Sequence, residues 1–199
     1  METKFAKAIS FIFHPLLITT YSFIILFSLH TFFSLVIPPL AKWMILGIVF
    51  VVTFLFPALL ILVLWKRGLI SELNMNKRED RIIPFIMTAI FFSLAYYLLK
   101  QLHISPIYNY FMIGTTFIII IALIINYFWK ISIHMIAMGG MLGAFLALSF
   151  VLIINIPMLI ILIIFISGLV GCARLKLNVH SPAQVYIGFL TGMTIMFLL

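Results

Sequence analysis

Residues 111–129 read FMIGTTFIIIIALIINYFW, nineteen positions without one charged side chain. About 18 such residues suffice for a helix to cross the hydrocarbon core of a bilayer. Similar runs fill much of the chain, which is 66% hydrophobic and only 8% charged over 199 residues. A soluble domain of that length has no interior large enough to hide so much apolar surface. Transmembrane barrels alternate apolar and polar residues along each strand, whereas these runs are apolar throughout. The fold class expected is all-α, a polytopic transmembrane bundle of about six to seven spans.

Seven candidate spans lie at roughly 8–30, 40–65, 83–100, 106–128, 131–150, 154–171 and 182–199. Pro38 and Pro39, Pro106 and Pro157 punctuate several of the boundaries. The third, sixth and seventh spans are short enough to be tilted or partly interfacial. The N-terminus METKFAKAISFIFHPLL has a basic start like that of a signal peptide. It lacks a small-residue cleavage site, and His14 with Pro15 interrupts the apolar run, so it reads as a retained first span. There is no internal repeat. The chain reads as one domain overall, with N-terminal spans over 1–65 and a core over 66–199 that carries most of the polar residues.

The lone Cys172 excludes an intrachain disulfide framework. Twelve Lys and Arg stand against four acids, for a net charge of +8. In a membrane chain this excess points to anionic headgroups or a phosphorylated substrate as partner and not to nucleic acid. The positions of the cations matter more than their number. The loop WKRGLISELNMNKREDRIIPF, then Lys130, then the segment with Arg174, Lys176 and His180 are each separated by two spans. An even number of crossings returns the chain to the same side. With Lys4 and Lys7, ten of the cations share that face, against Lys42 and Lys100 on the other. The positive-inside rule makes the basic face cytoplasmic, in a membrane of the bacterial inner (cytoplasmic) type.

Two polar segments on this face each precede a helix. Ser132 stands at an expected N-cap position with His134 in the first turn after it. His180 precedes Ser181 and Pro182, and proline favours the first position of a helix. Both histidines thus lie near helix N-termini, where free N–H groups attract anions. Gln184 lies one helical turn beyond His180, within reach of its ring. Arg174 approaches from the preceding segment. Two imidazoles, cations and helix N-termini on one face fit a phosphoryl group, with one imidazole as nucleophile and the other as acid.

In these residues the chain resembles the type 2 phosphatidic acid phosphatases, metal-independent membrane lipid phosphatases. Their third motif, Ser-Arg-x5-His-x3-Asp, is matched in spacing by Arg174, His180 and Gln184. Their second, Pro-Ser-Gly-His, is matched by Ser132 and His134, and their first, Lys-x6-Arg-Pro, loosely by Lys77, Arg78, Arg81 and Pro84. The resemblance covers about residues 66–199. It implies that His180 forms a phosphohistidine and that His134 is the general acid. Arg174, Arg81, Arg78, Lys77 and Ser132 would bind the phosphate, and Gln184 would orient His180. It implies no metal and no cofactor, and a substrate that is a lipid phosphate or diphosphate. Departures are present: Ala173 replaces a serine, Ile131 and Ile133 replace proline and glycine, and Gln184 replaces the aspartate that supports the nucleophile. Glu72, Glu79 and Asp80 are the nearby acids able to restore that charge.

The alternative to an active hydrolase is a catalytically lapsed member of the fold, serving as a lipid-binding or assembly subunit. A transporter fits less well, because the polar groups sit at span ends and not at the midplane. His14, His30 and His103 read as hydrogen-bonded helix ends. The patterns GGMLG and GFLTG, with Gly139, Gly140, Gly143, Gly188 and Gly192, read as close helix packing.

Overall fold

The computed structural model describes residues 2–73, 75 and 79–199. In chain order its helices are α1 (Thr3–Ile12), α2 (Pro15–Ser28), a short α3 (Phe32–Leu35), α4 (Pro39–Phe50), α5 (Phe56–Lys66), α6 (Ile82–Gln101), α7 (Pro106–Phe128), α8 (Ile133–Val151), α9 (Pro157–Lys176) and α10 (Pro182–Leu198). The described residues contain no strand, so the chain is an all-α polytopic bundle.

Prolines set most of the helix starts. α2, α4, α7, α9 and α10 each open on one. The missing N–H is no loss there and the fixed φ already suits the helix. Pro57 is different, because it falls inside the continuous 28-residue helix Pro39–Lys66. A proline in mid-helix leaves a carbonyl one turn upstream without its donor. The π-helical turn Val51–Leu55 lies just before it and carries the chain past the defect.

Five helices are long and apolar enough to cross a membrane, six if α1 and α2 count as one bent span. α10 is apolar but shorter, at 17 residues. The first span departs from the single helix expected over 8–30. It breaks at Phe13 and His14, and α1 and α2 meet at 57°. The cause is Pro15, which drives the residue before it out of the helical region; His14 accordingly has φ −63° and ψ 135°. α1 is amphipathic, with Ala6, Ile9 and Ser10 buried and Lys4, Phe5 and Lys7 exposed.

α8 and α10 form the tightest pair, and glycine makes it possible. A Cβ at Gly139 would run into the Phe189 carbonyl, one at Gly143 into that of Met193, and one at Gly192 into that of Ile136. The matching order of these contacts makes the two helices parallel. Their N-termini therefore lie at the same end of the bundle, tied by the Ser132 N–H donating to the Gln184 carbonyl at 3.3 Å. Arg81 donates to the Ile131 carbonyl at 3.1 Å, which brings the loop before α6 to the same end. The polar segments far apart in sequence thus meet at one end. At the other end, Lys42 donates to the Phe27 carbonyl and to Ser34 Oγ.

Gly139→Val should destabilise the protein by at least the ~1–3 kcal/mol typical of overpacking, because the obstacle is backbone. Gly168→Ala, which meets nothing within 4 Å, should be silent. Thermal unfolding in detergent compares the two, and equal melting temperatures would show that the α8–α10 contact is not tight.

Candidate functional site

The segment 172–184 is built by local rules. α9 ends at Lys176, and Asn178 adopts a left-handed φ of 52°, with its N–H bonded to the Leu175 carbonyl. Asparagine tolerates that conformation better than most residues. The turn sends Val179 and His180 back to the cavity wall. Ser181 then caps α10 in a reciprocal capping box: its Oγ accepts from the Gln184 N–H at 3.4 Å, and its own N–H donates to Gln184 Oε1 at 3.2 Å.

That box fixes more than the helix end. The Ser181 N–H can only donate, so the Gln184 atom facing it is the oxygen. The same oxygen lies 2.9 Å from His180 Nδ1. The ring must therefore donate from Nδ1, which leaves the lone pair on Nε2. His180 itself is buried. Burial pushes its pKa down, the bond to Gln184 pushes it up, and Arg81, Arg174 and Lys130 push it down again, to about 4. At neutral pH the imidazole is uncharged and Nε2 is a free base.

The cations converge on this ring. Arg81 is 4% exposed and points inward. Its Nε and one Nη donate to the Met75 and Ile131 carbonyls, which leaves part of its five-donor fork for a ligand. Arg174 also lines the cavity, and its buried Nε has no partner among the described residues. Lys130 stands close enough for both arginines to lower its pKa, after burial. No Asp or Glu is among the described residues lining the cavity. Asp80 instead accepts from the Ser71 N–H and Oγ. Lys77 and Arg78 lie outside the described residues.

His134 faces the same cavity from the first turn of α8. Its Nε2 lies 3.1 Å from the Ser10 carbonyl oxygen of α1. A carbonyl only accepts, so Nε2 carries the proton and Nδ1 is the open nitrogen of the neutral ring. Ser132 occupies the N-cap position of α8, but its side chain makes no capping bond. It is fully buried, its Oγ has no partner among the described residues, and it does not border the cavity. His14 was expected to be a hydrogen-bonded helix end and is one, since its Nδ1 accepts from the Leu16 N–H at 3.4 Å. It also lines the cavity, with its ring edge-on to His134 at 5.8 Å between centroids. His30 and His103 are exposed.

The cavity measures about 720 Å³ and continues from the polar end into the bundle. On α6 and its lead-in its lining runs from Arg81 to Phe92, about 16 Å at the helical rise. Ser22, Thr88 and Thr115 along this wall bond to their own helix carbonyls, so the lower chamber is largely apolar. Lys7, Ser10, His14, Ile18 and Ile61 belong to the wall, so the site crosses the expected division at residue 65. No group of three His, Cys, Asp or Glu among the described residues is arranged to hold a metal ion.

Histidine-selective ¹⁵N NMR should find His180 neutral at pH 7, protonated on Nδ1, and titrating only as the pH falls to about 4. Gln184→Glu keeps the capping box, which accepts either residue. It places a carboxylate on Nδ1–H, so the His180 pKa should rise. A wild-type His180 that titrates near 6.5 or carries its proton on Nε2 would contradict the geometry. Comparison with protein-family models, with curated proteins and with solved structures finds none that matches this chain.

Proposed function

We propose that this chain is a membrane phosphatase of the type 2 phosphatidic acid phosphatase kind, acting on a lipid phosphate or diphosphate. One observation carries the reading: a neutral histidine with a free Nε2 shares a cavity with the buried Arg81 and the half-buried Arg174, with no Asp or Glu among the described residues of the lining, at the head of a largely apolar chamber. Buried positive charge without a carboxylate calls for an anionic ligand. A chamber about 16 Å deep below it calls for a ligand with an apolar chain. Phosphatidic acid, phosphatidylglycerophosphate and polyprenyl diphosphate all have that form.

In this reading the His180 Nε2 lone pair attacks phosphorus. An N–P bond forms as the P–O bond to the lipid alcohol or phosphate breaks, and the leaving oxygen takes a proton. The family resemblance assigns that proton to His134, which supplies it only after taking one from water on Nδ1, since its Nε2–H is held by the Ser10 carbonyl. Water then attacks the phosphohistidine, the N–P bond breaks, and inorganic phosphate leaves. Arg81 and Arg174 stabilise the equatorial oxygens in both steps. Gln184 holds the nucleophile in the right tautomer but does not offset the charge it gains. That missing charge favours the second reading, a lapsed enzyme that retains a phosphate-binding site.

The test is phosphate release by purified protein from a panel of lipid phosphates. Turnover should be insensitive to chelator and abolished by His180→Ala. Arg174→Ala should lower it by about 10²–10³, the usual loss when one stabilising donor is removed. Gln184→Glu should raise it. A wild type without turnover that gains it on Gln184→Glu would support the lapsed enzyme, and turnover indifferent to His180→Ala would refute the mechanism.

A further inference from the structure

The cavity that His180 lines also contains a histidine that the phosphatase motifs do not include. His14 lies at the bend between α1 and α2, packed edge-on against His134 and lining the same cavity as Arg81, Arg174 and His180. The hydrogen bonds of the two edge-on rings assign their protons. His134 donates Nε2–H to the Ser10 carbonyl, so that proton is already engaged. His14 accepts the Leu16 N–H at Nδ1. A neutral imidazole has one donor and one acceptor, so the His14 proton is on Nε2. Nothing among the described residues accepts it.

We propose that His14 is a ligand-contacting residue of this site, its Nε2–H donating to an oxygen of the bound phosphoryl group. The proposal rests on the phosphate-site reading above, and it makes the N-terminal helix part of the site. The bend at Pro15 turns the chain so that α1 supplies the Ser10 carbonyl to His134 while the bend itself supplies a donor to the ligand. α1 also packs along α9, the helix that carries Arg174. This wall is therefore held against the helix that presents Arg174.

The experiment separates the ring's structural role from its ligand role. Asparagine is a strong N-cap, so His14→Asn keeps an acceptor for the start of α2 but does not extend a donor into the cavity. The full-length protein in nanodiscs is titrated with inorganic phosphate by calorimetry, and lipid-phosphate turnover is measured in parallel. His14→Asn should melt with the wild type and bind phosphate about tenfold or more weakly, as expected for a lost hydrogen bond to a charged group. In the wild type, the His14 Nε2–H resonance should move on phosphate addition, a readout that does not depend on the variant folding. Phosphate affinity unchanged in His14→Asn, a His14 resonance indifferent to phosphate, or no phosphate binding by the wild type would each overturn the proposal. Weakened binding in the variant with no turnover by the wild type would leave it standing and remove the phosphatase. Turnover with an indifferent His14 would do the reverse.

Discussion

The geometry at the polar end depends on one oxygen atom. Gln184 Oε1 accepts the Ser181 N–H and the His180 Nδ1–H together. The first bond belongs to the capping box of α10 and identifies the atom as oxygen. The second transfers that certainty to the ring and frees Nε2. A carboxylate in this place would also offset the imidazolium charge as it forms. The amide provides only direction, so the site has orientation without electrostatic compensation. That combination separates a slow enzyme from a fast one, and a retained site from a lost one.

Helix packing places this ring where it can meet its neighbours. α8 and α10 run parallel, with α9 returning the chain between them, and the glycines at 139, 143 and 192 let backbone meet backbone. Parallel helices bring two N-termini to one end, and His134 and His180 come with them. Arg81 then ties the loop before α6 to that end through the Ile131 carbonyl. The site is consequently cationic at its head and apolar below, the polarity of a phosphorylated lipid. Its cations have no acidic partner among the described residues of the cavity lining.

Much of this was legible in the sequence. The all-α fold follows from the length of the apolar runs, and the prolines at 39, 106, 157 and 182 mark helix starts in the structure as their chemistry requires. The even number of spans between the polar segments is enough to bring Arg81, His134, Arg174 and His180 to one end. The capping box was also readable, since SPAQ has the required serine with glutamine three residues later. Reading Gln184 only as a partner of His180 missed it. Ser132 was overread, because occupying an N-cap position does not oblige a buried hydroxyl to cap or to face a ligand. His14 is the hydrogen-bonded helix end expected of it, but its contact with His134 was not legible. Its i to i+2 cap bond is local, but its contact with His134 spans 120 positions and depends on the 57° bend at Pro15, which no local pattern reveals.

The claim at the centre is that His180 Nε2 is a nucleophile toward phosphorus. The direct measurement is mass spectrometry of protein mixed with a lipid phosphate and quenched in alkali within one turnover, where an N–P bond survives. The account predicts a phosphoryl group on His180, retained in a variant that hydrolyses the adduct slowly and absent from His180→Ala. Lipid phosphate consumed with no adduct at His180, or an adduct on another residue that persists in His180→Ala, would contradict it.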